Sequence, residues 1–164
     1  MPFKWRFFRF SNYLHIALWI IFFAILTYSW RTQGLAPDYL SFSALILGVL
    51  ILIAHCINNL ILLSKYYPEK LPGKGFVTYT IVMLVLSMLL LVAVLIITVV
   101  GVSEEINTII EKKAPNRIGI LMATFCVLIS FTGVHSCWFQ LLLRRTIRRN
   151  YLKGIDSFLA DDNP

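Results

Sequence analysis

The stretch VTYTIVMLVLSMLLLVAVLIITVVGV, residues 77–102, decides the fold, because it runs from Val77 to Val102 without a single charged residue. A bilayer's hydrocarbon core is crossed by about 20 mainly apolar residues in a helix (range roughly 17–25). Lipid offers a backbone no water, so such a run must satisfy its own N–H and C=O groups as a helix. Three similar runs accompany it, at 12–30, 40–64 and 118–143. These predict an all-α, polytopic membrane protein. The 1–143 domain would be an antiparallel bundle of four transmembrane helices, followed at 144–164 by a basic amphipathic cytoplasmic tail.

Composition agrees. Of 164 residues, 59% are hydrophobic and 14% charged, where a soluble domain averages about 25% charged. Mean hydropathy is +0.78. Little sequence lies outside the four runs, so any chemistry belongs within the helices or at their ends. The first run begins with basic residues, as a signal peptide does. It is long, however, and closes on Tyr28-Ser29-Trp30 without a small-x-small cleavage pattern, so a retained helix is expected.

Basic residues orient the bundle. Lys4, Arg6 and Arg9 precede the first helix, and Lys65, Lys70 and Lys74 lie around the second connection. Arg144, Arg145, Arg148, Arg149 and Lys153 follow the fourth, making eleven on that side. Arg31, Lys112, Lys113 and Arg117 make four on the other. The positive-inside rule then places both termini on the cytoplasmic side of the plasma (inner) membrane. The net charge of +7 is spread along helix flanks. That favours anionic headgroups over nucleic acid, with Arg144, Arg145, Arg148 and Arg149 as headgroup or partner contacts. Pro37, Pro68, Pro72 and Pro115 fall in the connections, where a missing N–H is tolerated.

Two amphipathic pieces lie outside the runs. Ser103 to Lys113 gathers Ile106, Ile109 and Ile110 and is expected as a separate surface helix ending before Pro115. Ile147, Tyr151, Ile155, Phe158 and Leu159 recur near helical spacing among arginines. That segment is expected either to extend the fourth helix, to bend along headgroups, or to dock on a partner.

Polar residues at membrane depth carry the functional question. The third helix holds only Thr78, Thr80, Ser87 and Thr98, which can bond back to their own helix. The second holds His55, Cys56, Asn58 and Asn59; the fourth holds His135, Ser136, Cys137 and Gln140; His15 lies near the start of the first. Counted from Lys65 and Arg144, His55 and His135 are level, roughly 14 Å above the inner charges. The candidate polar site is therefore His15, His55, Asn58, Asn59, His135 and Gln140, with the inner half of the bundle polar and the outer half apolar. Facing imidazoles at His55 and His135 could ligate a metal ion or a haem. The reading preferred over these is interhelical glue, at about 0.6 kcal/mol per bond and up to about 1.7. A polar cavity open to the inner leaflet, for a quinone, lipid headgroup or small solute, and proton coupling through the histidines are further alternatives. No cofactor is required by either set. Cys56, Cys126 and Cys137 lie in apolar runs without a CxxC pair.

No P-loop, GxGxxG or GxSxG occurs, and every Asp and Glu lies outside the four runs. That weighs against an enzyme and against a carboxylate-based transporter.

The segment Tyr13-Leu14-His15-Ile16-Ala17-Leu18-Trp19 is similar to the opening of the four-helix sensor region of bacterial membrane histidine kinases. Asn58-Asn59-Leu60, Lys65-Tyr66-Tyr67-Pro68 and Tyr79 resemble the same region. The resemblance covers about the first half of the chain. It implies a stand-alone sensor or accessory module, since no phosphoacceptor region or ATP-binding domain accompanies it. The expected function is a non-enzymatic accessory, sensor or immunity-type module acting through another membrane protein or a second copy. A haem- or metal-binding redox protein and a small channel or carrier are the alternatives.

Overall fold

The computed structural model describes residues 2–33, 39–110 and 117–161. Among these the chain is helical, without strand: α1 (Phe3–Gln33), α2 (Tyr39–Ile61), a π-helical turn (Leu62–Tyr66), α3 (Lys74–Ile110) and α4 (Arg117–Asp161). All four α-helices are long and apolar enough to cross a membrane.

The helices overrun the apolar runs that announce them. Hydropathy marks where a helix suits lipid, whereas a helix ends only where a breaker stops it. Phe3 to Ser11 contains no Gly or Pro, so α1 starts nine residues before the expected Asn12. Ser103 begins no separate helix: α3 continues through it to Ile110, so the expected surface piece is the last turns of α3. Its final residues, Glu111 to Lys113, lie outside the described residues, as do Pro37 and Pro115. At the far end α4 runs unbroken from the apolar stretch into the basic one. With 45 residues it is about 68 Å long, more than twice the bilayer's apolar thickness.

The α2 end has a local cause. Tyr67 precedes Pro68, which disfavours helical backbone at that position, and Tyr67 is extended at φ −76°, ψ 138°. Its N–H still bonds back to the Leu62 carbonyl at 3.2 Å, closing the π turn.

Each helix packs mainly on two neighbours, α4 on α1 and α3, and α2 on α1 and α3, with a smaller diagonal contact between α2 and α4. Two apolar clusters form inside. One contains Leu18, Trp19, Phe22, Leu52, Leu84, Leu91 and Ile129. The other contains Trp5, Phe8, Leu62, Leu63, Leu143 and Ile147. It gathers the start of α1, the α2–α3 connection and the basic part of α4 at one end of the bundle. Phe139 stacks on Phe8 at 5.7 Å and meets Trp5 edge-on at 6.3 Å. The outer surface is equally apolar: Val82, Val85, Leu89, Val92, Ile96 and Val99 of α3 are all exposed. A surface of that kind suits lipid, where burial in protein brings no gain over burial in acyl chains.

Candidate functional site

Between the two apolar clusters lies a buried polar layer. Along α1 the order is Phe8, then Asn12 and His15, then Trp19; along α2 it is Leu52, then His55 and Asn59, then Leu62. On α4, Thr132, Ser136 and Gln140 precede Leu143. The half of the bundle expected to be polar is therefore not polar throughout. An aromatic and aliphatic cluster closes the layer off from that end.

Asn59 is the hub. Its amide nitrogen lies 3.1 Å from Asn12 Oδ1, 2.8 Å from Ser136 Oγ and 3.2 Å from His55 Nε2. The Ser136 hydroxyl donates to Asn12 Oδ1 at 2.8 Å, and Asn12 Nδ2 donates to the Phe8 carbonyl at 2.8 Å. An NH₂ group has two hydrogens, so Asn59 serves two of its three acceptors at once. Residues four apart on a helix share a face, which is how Asn59 and His55 come together. The result ties α1, α2 and α4 through one side-chain triangle, Asn12–Asn59–Ser136.

His15 belongs to a second chain of bonds whose direction is determined. The Trp19 indole can only donate, and it donates to His15 Nε2 at 3.0 Å. Nδ1 therefore carries the ring proton and donates to Thr132 Oγ1 at 2.7 Å. Thr132 passes its own proton to the Leu128 carbonyl at 2.9 Å. Both ring nitrogens are occupied, and no lone pair remains on His15 for a metal. Gly133, next along α4, permits this approach: a Cβ there would meet Leu91 and come within 3.0 Å of His15 Cε1.

The two histidines expected to face each other do not. His135 lies against phenylalanines, with ring centroids at 4.3 Å from Phe139 and 5.2 Å from Phe7. His55 instead has Asn59 and, at 3.7 Å, Cys137 Sγ beside it. No hydrogen bond or ring contact among the described residues joins the two imidazoles. Equal depth fixes only one coordinate; successive residues turn about 100° around a helix. Ser136 and Cys137 take the direction toward α2, and His135 takes the one toward the start of α1. Among the described residues no group of three His, Cys, Asp or Glu side chains could hold a metal. No contact among the described residues brings His55 and His135 together as a pair.

Gln140 is fully buried with neither amide atom bonded, and Asn58 is buried with Nδ2 unpartnered. Both predicted residues lie at the layer's depth, outside its bonded core. Sequence reasoning missed Asn12, Trp19 and Thr132. Asn12 had a signal: it stands three residues before His15 and seven before Trp19, on one helical face.

On α3, Thr78, Thr80 and Thr98 do bond back to carbonyls of their own helix, at 3.2, 3.0 and 2.7 Å. Thr80 has a second role, accepting a hydrogen bond from Arg144 Nη2. The same guanidinium nitrogen lies 3.5 Å from the Val77 carbonyl. Ser87 is buried without a partner.

No protein-family model, curated protein or solved structure matches this chain.

Proposed function

We propose that the protein is an antiparallel four-helix bundle of the plasma (inner) membrane, with both termini cytoplasmic, that acts without catalysis through its basic end. One observation carries this reading: Asn12, Asn59 and Ser136 bond one another across three helices inside the bundle, while α4 carries exposed Arg145, Arg148, Arg149 and Lys153 beyond the core. The Asn12–Asn59–Ser136 triangle holds helices together, and among the described residues no group of three His, Cys, Asp or Glu side chains forms a metal-ligand set. The triangle's neighbours His55 and Cys137 are both buried, 3.7 Å apart, with no third polar partner completing a catalytic set among the described residues. An accessory or sensor role fits a rigid anchor that presents a charged helix to a membrane protein partner or a second copy.

Ile147 lies in the core, 2% exposed, so removing the whole segment from residue 147 would damage folding as well as charge. Reversing exposed charges is the cleaner test. In R145E/R149E/K153E, α4 keeps its apolar face and loses its basic one. Co-purification of partners from mildly solubilised membranes should fall at least several-fold, with the yield of folded protein unchanged. Undiminished co-purification would refute an acting basic end.

A further inference from the structure

At the bundle end that holds Trp5 and Leu143, the 67–73 connection, the first turns of α3 and the basic part of α4 enclose a cavity of about 440 Å³. That is ample for part of a small amphiphile. Leu62, Val77 and Ile147 supply apolar wall, and Arg144 and Arg148, one turn apart on α4, supply charge. No carboxylate among the described residues lines it.

Arg144 is half-buried, and what it bonds is neutral: the Thr80 hydroxyl and, weakly, the Val77 carbonyl. Its Nε is buried with no partner at all. A guanidinium drawn partly out of water without a counter-charge is unfavourable unless an anion comes to it. Its fork of N–H donors suits phosphate oxygens. Lys70 on the adjoining connection and Lys74 at the start of α3, both exposed, outnumber the exposed Glu69 beside them and add to the positive field. A small hydrated anion would gain nothing from Leu62, Val77 and Ile147, whereas an acyl chain would cover them.

We propose that this cavity binds an anionic phospholipid, its phosphate on Arg144 and Arg148 and an acyl chain along Leu62, Val77 and Ile147. The site rests on the reading of the basic end as the headgroup boundary of the inner leaflet. It would make the protein responsive to the anionic lipid content of that leaflet, with the ligand seated where α3, α4 and their neighbouring connection meet.

Titration of the purified full chain in non-ionic micelles, followed by native mass spectrometry, tests it. Phosphatidylglycerol should bind at least about ten-fold more tightly than phosphatidylcholine, whose phosphate is already neutralised by its own cation. R148Q should weaken phosphatidylglycerol binding by about ten-fold, and V77W, which fills the cavity, by as much. R145Q, whose side chain lies outside the cavity, should change it less than about two-fold. R148Q and V77W are preferred to R144Q, because Arg144 also bonds α3. Equal losses in R145Q and R148Q would reduce the effect to the diffuse field of a basic helix and overturn the site. So would inorganic phosphate binding that V77W leaves untouched, since the ligand would then be a free anion. Micelle binding does not depend on which side faces the cytoplasm. An inverted topology would refute the orientation and leave a measured lipid preference standing.

Discussion

Two places in this molecule bury polar groups among apolar ones, and they finish differently. In the middle layer Asn12, Asn59, Ser136, His15 and Thr132 bond each other across helices. At the basic end Arg144 reaches only neutral acceptors and keeps an unpartnered Nε beside a cavity. Neutral amides and hydroxyls can satisfy one another, because each both donates and accepts. A guanidinium only donates, so it needs an acceptor with charge, and the described fold does not bring one. Unpartnered atoms occur in the middle layer too, His55 Nδ1 and Asn59 Oδ1 among them, but on neutral groups; the contrast separates neutral groups that assemble the bundle from a charged one that awaits a ligand. Gln140 stands between them on α4, four residues from each of Ser136 and Arg144, with its amide unbonded.

Four substitutions would break or sharpen that contrast. The largest effect is expected at the hub. Asn59→Ala removes the contact to Asn12, Ser136 and His55 together and should cost about 2 kcal/mol of unfolding free energy in mixed micelles, at up to about 1.7 kcal/mol per bond. A loss below about 0.5 kcal/mol would mean that the triangle does not assemble the bundle. Next is Gly133→Ala, whose new methyl group would press on Leu91 and His15 Cε1. Overpacking of that kind costs about 1–3 kcal/mol, and the lower end is expected because the Leu91 tip can turn away. Ser136→Ala should cost about 1 kcal/mol, since two bonds of the triangle pass through its hydroxyl. The smallest effect is expected for Thr78→Ala. Its exposed hydroxyl bonds only the Lys74 carbonyl of its own helix, and the unfolding midpoint should move within error.

The four helices were readable in the sequence because a long apolar run such as 77–102 satisfies its backbone as a helix. Their ends were not, because Phe3–Ser11 and Ser103–Ile110 are polar enough to leave lipid yet contain nothing that stops a helix. The grouping was readable in part: His55 and Asn59 share a helix face, and Asn59 meets Ser136 of α4. Direction around the helix was not. Counting from Lys65 and Arg144 puts His55 and His135 level and says nothing of azimuth, so the structure's pairing of His135 with Phe139 and Phe7 was out of reach. Asn12 passed as a span boundary because only its distance from the charges was weighed, and not its spacing from His15 and Trp19. Gly133 escaped because a close approach shared by His15 and Leu91 needs no GxxxG repeat.

The distinction between an assembled middle and a working basic end requires that the basic end sit at the cytoplasmic boundary. Single cysteines placed at Ala36, Lys70 and Lys153 test this most directly, in a chain with Cys56, Cys126 and Cys137 replaced by alanine. A membrane-impermeant thiol reagent is applied to intact cells and to inverted membrane vesicles. The account predicts labelling of position 36 only in intact cells, and of positions 70 and 153 only in inverted vesicles. Labelling of position 70 or 153 from outside intact cells would contradict it.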